Sequence, residues 1–216
     1  MKEEIQKNSK RELTPQEKNI AYSLESLPTF SIRGKMDLML VWRKLKSASQ
    51  LYLHADLSDR EFQDIKNKIQ KAGLFFIDKG IDTNVPEGAE PTRLCFVANN
   101  NEDLELISKI WFGDHFSDPK VYKEIGRMSG FPQTAIDTYY QIAQMQKDEK
   151  EKVRQELVLS EEEKYKLLPR EVYPFSLSFF MSKKHWQKEM EIPKKWSEEI
   201  ALTAPTLYQD YMKAFK

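Results

Sequence analysis

Three short apolar runs stand close together in the middle of the chain, Leu51-Tyr52-Leu53-His54, Leu74-Phe75-Phe76-Ile77 and Leu94-Cys95-Phe96-Val97, and what separates them limits what they can build. Between the first two, Ser58 followed by Glu61 has the spacing of a reciprocal helix cap. Phe62, Ile65, Ile69 and Ala72 then recur on one helical face, and Gly73 suits the stop. Between the second and third runs lies a connection containing Gly80, Pro86, Gly88 and Pro91, which reads as loop. After the third, Asn99 through Asp103 opens another amphipathic segment carrying Leu104, Ile107 and Trp111. The order is strand, helix, strand, loop, strand, helix. If the first two strands are parallel neighbours, the helix between them makes a right-handed crossover. The fold class expected is α/β or α+β, with a small mixed or parallel sheet and predominantly helical N-terminal and C-terminal regions.

The flanks supply those helices. Thr14-Pro15-Gln16-Glu17 combines a capping threonine, a proline suited to the first helical position and a glutamate at the capping-box position, so a helix is expected through about Ser26, before Pro28. Leu38, Val41, Trp42, Leu45 and Ala48 share helical spacing and predict a second, buried helix. Helices are also expected over residues 119–128 and 133–146, joined by Gly130-Phe131-Pro132. From Lys147 through Glu171, 15 of 25 residues are charged, seven basic and eight acidic, which predicts a solvent-facing helix. The last 44 residues hold nine aromatics, too many to leave in water, so part of this region should dock on the middle of the chain. Leu207, Tyr211 and Phe215 form one stripe suited to that docking or to a partner. Two regions are expected: 1–116, a small α/β core with N-terminal helices, and 117–216, a helical aromatic-rich region packed on the same core.

Composition narrows the class further. In 216 residues, 34 basic side chains balance 34 acidic ones, and the apolar share is 40%. This excludes a highly charged disordered chain and withholds the strong net positive charge of a nonspecific nucleic-acid binder. Cys95 is the only cysteine, so an intramolecular disulfide and a cysteine-rich zinc site are ruled out and a reducing compartment is expected. The first eleven residues offer no apolar signal core, and no segment has the roughly 20 apolar residues of a membrane span. The expectation is a soluble, cytoplasmic protein without membrane partners.

Tyr122 through Tyr140 resembles a helix-turn-helix, with Gly126 small, Gly130 at the turn, and Ile125, Ile136 and Tyr139 in the packing positions. The resemblance implies a helix beginning near Gln133, with Gln133, Thr134 and Thr138 as nucleic-acid contacts. Charge argues the other way: residues 118–150 carry five basic and five acidic side chains, and Asp137 sits on the reading helix. Nucleic acid is therefore not the expected partner.

No dinucleotide-binding, phosphate-loop, zinc-protease or nucleophile-elbow motif occurs, and no cofactor is implied. If the strands are parallel neighbours, their carboxyl ends bring His54, Asp56, Asp78 and Asn99 to one crevice. There His54 would move a proton, Asp56 or Asp78 would orient it, and Asn99 would position a polar substrate. Asp114, His115 and Asp118 are residue types that bind metal, but turn formation explains them as well, and no metal site is expected. His185 has a weaker claim, and Cys95 reads as a buried structural residue. The leading expectation is a binding or interaction protein for an unknown protein or small-molecule ligand. The alternatives are a nonmetal acid/base enzyme and a helix-turn-helix DNA binder.

Overall fold

A computed structural model describes residues 12–27, 31–82, 90–112 and 118–215. Helix α1 (Pro15–Glu25) opens on the expected capping box: the Thr14 hydroxyl accepts from the Glu17 amide, and the Glu17 carboxylate accepts from the Thr14 amide. Helix α2 (Ile32–Trp42) is shorter than its apolar stripe predicts. Arg43 caps it, and Lys44 adopts φ 59°, so Leu45 leaves the helix and Ala48 begins a strand. The stripe belongs to two elements because the chain reverses between them.

The three apolar runs become β1 (Ala48–His54), β2 (Phe75–Asp82) and β3 (Thr92–Ala98), with α3 (Asp59–Lys71) between β1 and β2 and α4 (Asn101–Phe112) after β3. The fold is α+β, helical at both ends around a small sheet. The expected parallel pairing is corrected. The order is β1-β3-β2, and β3 pairs antiparallel with both neighbours. Strands β1 and β2 do run in the same direction, as a crossover through α3 requires, but β3 lies between them. The physical reason is hydropathic. Leu94 through Ala98 is buried on both faces and so takes the centre, whereas Tyr52 and His54 are exposed on β1 and suit an edge. Where the β2–β3 ladder slips between Asp78 and Ile81, Gly80 takes φ 87° and its amide donates to the Asp78 carboxylate at 2.9 Å.

The sheet separates two cores. Leu51, Leu53, Cys95 and Val97 face a large cluster with Ile65 and Ile69 of α3, Met36 and Met39 of α2, and residues as distant as Tyr211. Ala48, Leu94, Phe96 and Ala98 face a smaller cluster with Leu104 and Ile107 of α4 and Met128.

The remaining described helices are α5 (Pro119–Met128), α6 (Gln133–Ala143), α7 (Lys147–Leu157), α8 (Glu161–Leu167), α9 (Tyr173–Ser176), α10 (Trp186–Glu189), α11 (Glu191–Thr203) and α12 (Pro205–Lys213). The charged segment is thus two helices rather than one. Val158 leaves α7 in extended conformation and bridges to Ser182, and Ser160 and Glu163 form a new capping box for α8. The aromatic-rich C-terminal segment docks within the chain: Leu207 and Tyr211 join the large core and Phe215 packs on it. No helix among the described residues is long and apolar enough to cross a membrane.

Gly130 takes φ 72°, and a Cβ built on it would stand 2.3 Å from the Leu45 carbonyl oxygen, whereas Gly73, at φ 78°, has nothing within 4 Å of its own. Gly73→Ala should therefore cost only the left-handed backbone penalty, about 1 kcal/mol. Gly130→Ala adds a backbone clash and should cost about 2–5 kcal/mol in urea unfolding. Equal losses in the two variants would refute the close approach at Leu45.

Candidate functional site

The catalytic constellation expected from parallel strands is not assembled. His54 pairs with Thr92 and Ala48 with Ala98, so Asn99 follows the opposite end of the sheet from His54, about 20 Å away at strand rise. Its side-chain amide donates to the Lys46 carbonyl at 2.8 Å and its backbone amide to Ser47 at 3.0 Å, a junction role. Asp78 sits inside β2, opposite Cys95, where Arg93 and the Gly80 amide engage its carboxylate. His54 and Asp56 do share a shallow hollow with Glu90 and Pro91, in which His54 Nδ1 is 3.9 Å from the Glu90 carboxylate. The antiparallel order is what scatters the four residues, since strand ends meet at one crevice only when neighbours run the same way. Of the other polar groups, Asp114 and His115 lie outside the described residues, and Asp118 caps α5 by accepting from the Lys120 amide. No group of metal-binding side chains occurs among the described residues. Cys95 is fully buried, and its thiol is pushed up to about 12 by burial first and the Asp78 charge second.

The two expected helices and the turn between them are present. Ser129 caps the C-terminal end of α5, Gly130 turns the chain, and the Phe131 amide returns to the Gly126 carbonyl at 3.0 Å before α6 begins. At the crossing, a Cβ on Gly126 would lie 2.8 Å from Ile136, so glycine is what lets the two helices close. Tyr122 and Tyr139 meet edge to face at 5.1 Å. The start of α6, however, is committed inside the protein. The Thr134 hydroxyl donates to the buried Glu189 carboxylate at 2.6 Å, and the Thr138 hydroxyl donates to the Thr134 carbonyl. Gln133 is exposed and bonds Asp137 at 3.0 Å. Of the three expected nucleic-acid contacts, only Gln133 keeps an outward position.

On its other side the α5–α6 pair forms one wall of a cavity of about 360 Å³. Ile125, Gly126, Ala135 and Ile136 supply a small-residue and aliphatic surface, and Tyr122, Phe131 and Tyr139 supply rings. The facing wall is Leu177 through Phe180, with Arg154, Glu161 and Lys164 contributed by α7 and α8. Phe180 stacks on Tyr139 at 5.1 Å and 15°, and the Arg154 guanidinium lies 4.8 Å from the Phe180 ring centre. Lys164 is 2% exposed. Its ammonium donates to Glu161 at 3.0 Å and to the carbonyls of Ser176 and Phe179 at 3.3 and 3.2 Å, which fixes the backbone that carries the facing wall. Burial, with the Tyr122 hydroxyl beside it, holds the Tyr139 phenol above its ordinary pKa, so it remains a neutral hydrogen-bonding group.

Sequence reasoning missed Arg154, Glu161, Lys164 and Phe180 because they sit in the charged run and the aromatic tail. One signal was present: Ser160-x-x-Glu163 is a capping box inside the run, marking a second helix with a face of its own. Comparison with family models, with curated proteins and with solved structures finds no match for this chain.

Two outcomes test these assignments. Thr134→Val strips a hydrogen bond from a buried carboxylate and should cost about 1.5–3 kcal/mol in chemical unfolding, whereas Gln133→Ala, at an exposed pair, should stay within about 0.5 kcal/mol. The Cys95 thiol should resist an aromatic disulfide reagent at about pH 8 in the folded protein and react fully in urea. Because its pKa is raised from 9.0 to about 12 on folding, its contribution to stability is complete below pH 9.0 and declines as pH climbs toward 12.

Proposed function

We propose that this chain is a binding protein whose ligand, a small molecule with aromatic or aliphatic bulk, lodges in the cleft between α5–α6 and residues 177–180. The observation that carries the reading is the cavity of about 360 Å³ itself, apolar and ring-lined, with a few ionic groups at fixed positions. That size and lining match the usual small-molecule site. The supporting geometry is a rigid floor: Gly126 closes on Ile136 on one side and Lys164 holds two backbone carbonyls on the other. Such a wall need not be reorganised on binding, so little of the contact energy is lost to ordering. At about 0.3 kcal/mol per non-hydrogen atom, a ligand of roughly 20 such atoms would bind with a Kd in the tens of micromolar. A soluble, cytoplasmic setting belongs to the same proposal and is supported by Cys95 being the single cysteine of the sequence.

The test is a ligand-observed NMR fragment screen followed by titration of the hits. Hits should compete with one another, and saturation at about a hundred times Kd should stabilise the fold by about 2.7 kcal/mol, seen as a rise in Tm. Leu177→Trp, at a half-buried position lining the cleft, should fill the space and abolish the hits while the variant still unfolds cooperatively. Hits that survive Leu177→Trp unchanged would place binding elsewhere and refute the proposal.

A further inference from the structure

The charges around the cleft are unevenly satisfied. The cleft and the adjoining hollow, which is lined by Glu151, Arg154, Glu161, Glu162, Glu163, Lys166 and Lys183, share Arg154, Glu161 and Phe180. Lys164 pairs with Glu161, Lys166 with Glu162, and Lys183 with Glu163. Glu151 accepts from Gln155 at 3.1 Å. Arg154, an exposed residue, has no carboxylate within ion-pair distance among the described residues, and its guanidinium lies over the Phe180 ring and within electrostatic reach of Tyr139. A guanidinium lying on a ring keeps its in-plane N–H donors available, and that planar fork matches a carboxylate.

We infer that the ligand of this cleft is an aryl carboxylate, its ring system among Tyr139, Phe180 and Ile136 and its carboxylate on the Arg154 guanidinium. The inference rests on the cleft being a ligand site, as proposed above. Arg154 chooses the anion, since among the described residues it is the one cation lining the two hollows that has no ion-pair partner. The two hollows together carry four cations and four carboxylates, a balance that favours one negative charge over two. Glu151, the carboxylate of the two hollows with no cation partner among the described residues, lines the same hollow as Arg154 and opposes a dianion such as a phosphate monoester. The lining rings choose the aryl part, since stacked and edge-on contacts reward a flat π-system over an alkyl chain of equal size.

Isothermal titration with naphthoate, naphthalenemethanol and naphthyl phosphate separates the contributions. Naphthoate should bind roughly fivefold more tightly than the alcohol at low salt, and the advantage should shrink as salt is added, as befits an ion pair at a partly open mouth. Arg154→Gln should remove the advantage of naphthoate over the alcohol, while Arg154→Lys should retain part of it. Equal binding of naphthoate and the alcohol to the unaltered protein would overturn the carboxylate while leaving the cleft a ligand site. Tighter binding of naphthyl phosphate than naphthoate would overturn the choice of anion. An advantage that persists in Arg154→Gln would overturn the role of Arg154. If neither naphthoate nor the alcohol binds, the aryl carboxylate fails; if the fragment screen also gives no hit removed by Leu177→Trp, the cleft proposal fails with it.

Discussion

Five residues, Arg43 through Ser47, hold the molecule together. Arg43 reaches Glu199 at 2.6 Å and Glu17 at 3.5 Å, tying α11 and α1 to the end of α2. Lys44 reverses the chain, the Leu45 carbonyl meets Gly130, and the Lys46 ammonium pairs with Asp37 at 2.6 Å while lying over the Trp196 ring. Ser47 donates to the Met128 carbonyl and accepts from Asn99. A left-handed backbone followed by three engaged residues leaves almost no freedom in how α2, the sheet, α5 and α11 meet. The cleft depends on this junction, because the turn that orients α5 against α6 is the one pressed onto Leu45.

The α5–α6 pair separates a local resemblance from the surroundings that decide its use. Its packing needs a small residue at the crossing and a left-handed turn, and both are present. What a DNA reader also needs is an outward, uncommitted helix start in a positive field. Here Thr134 is bound to Glu189, and Ser182 donates to the same carboxylate through its backbone amide and its hydroxyl. Thr134 and Thr138, two of the side chains a DNA reader would turn to a groove, instead bond within the protein, and Gln133 stays exposed. Fold geometry and site chemistry are separate arguments, and the second decides use.

Local rules in the sequence were strong where one residue type meets one backbone need. The capping boxes at Thr14 and Ser58 and the turns at Gly73 and Gly130 stood where spacing put them, because a cap or a positive φ is settled within four residues. Strand order was a nonlocal matter. A helix between β1 and β2 is consistent with adjacent parallel strands and equally with a third strand inserted between them, and only the two-sided burial of Leu94 through Ala98 distinguishes the cases. The cleft was illegible for a similar reason. Lys164 looks like one more solvated lysine until the carbonyls of Ser176 and Phe179, 12 and 15 residues away, are seen converging on it.

The large core is completed from far down the chain. The Leu207 amide donates to the Glu25 carboxylate across 182 residues, the Tyr211 hydroxyl donates to the Pro174 carbonyl, and Trp196 and Ile200 lie in the same cluster as Leu24 and Met36. During synthesis, then, the apolar faces of α1 and α2 emerge from the ribosome long before the side chains that cover them. At translation speeds of about 5–20 residues per second, that interval lasts on the order of ten seconds or more. For that time the nascent chain displays an uncovered hydrophobic surface.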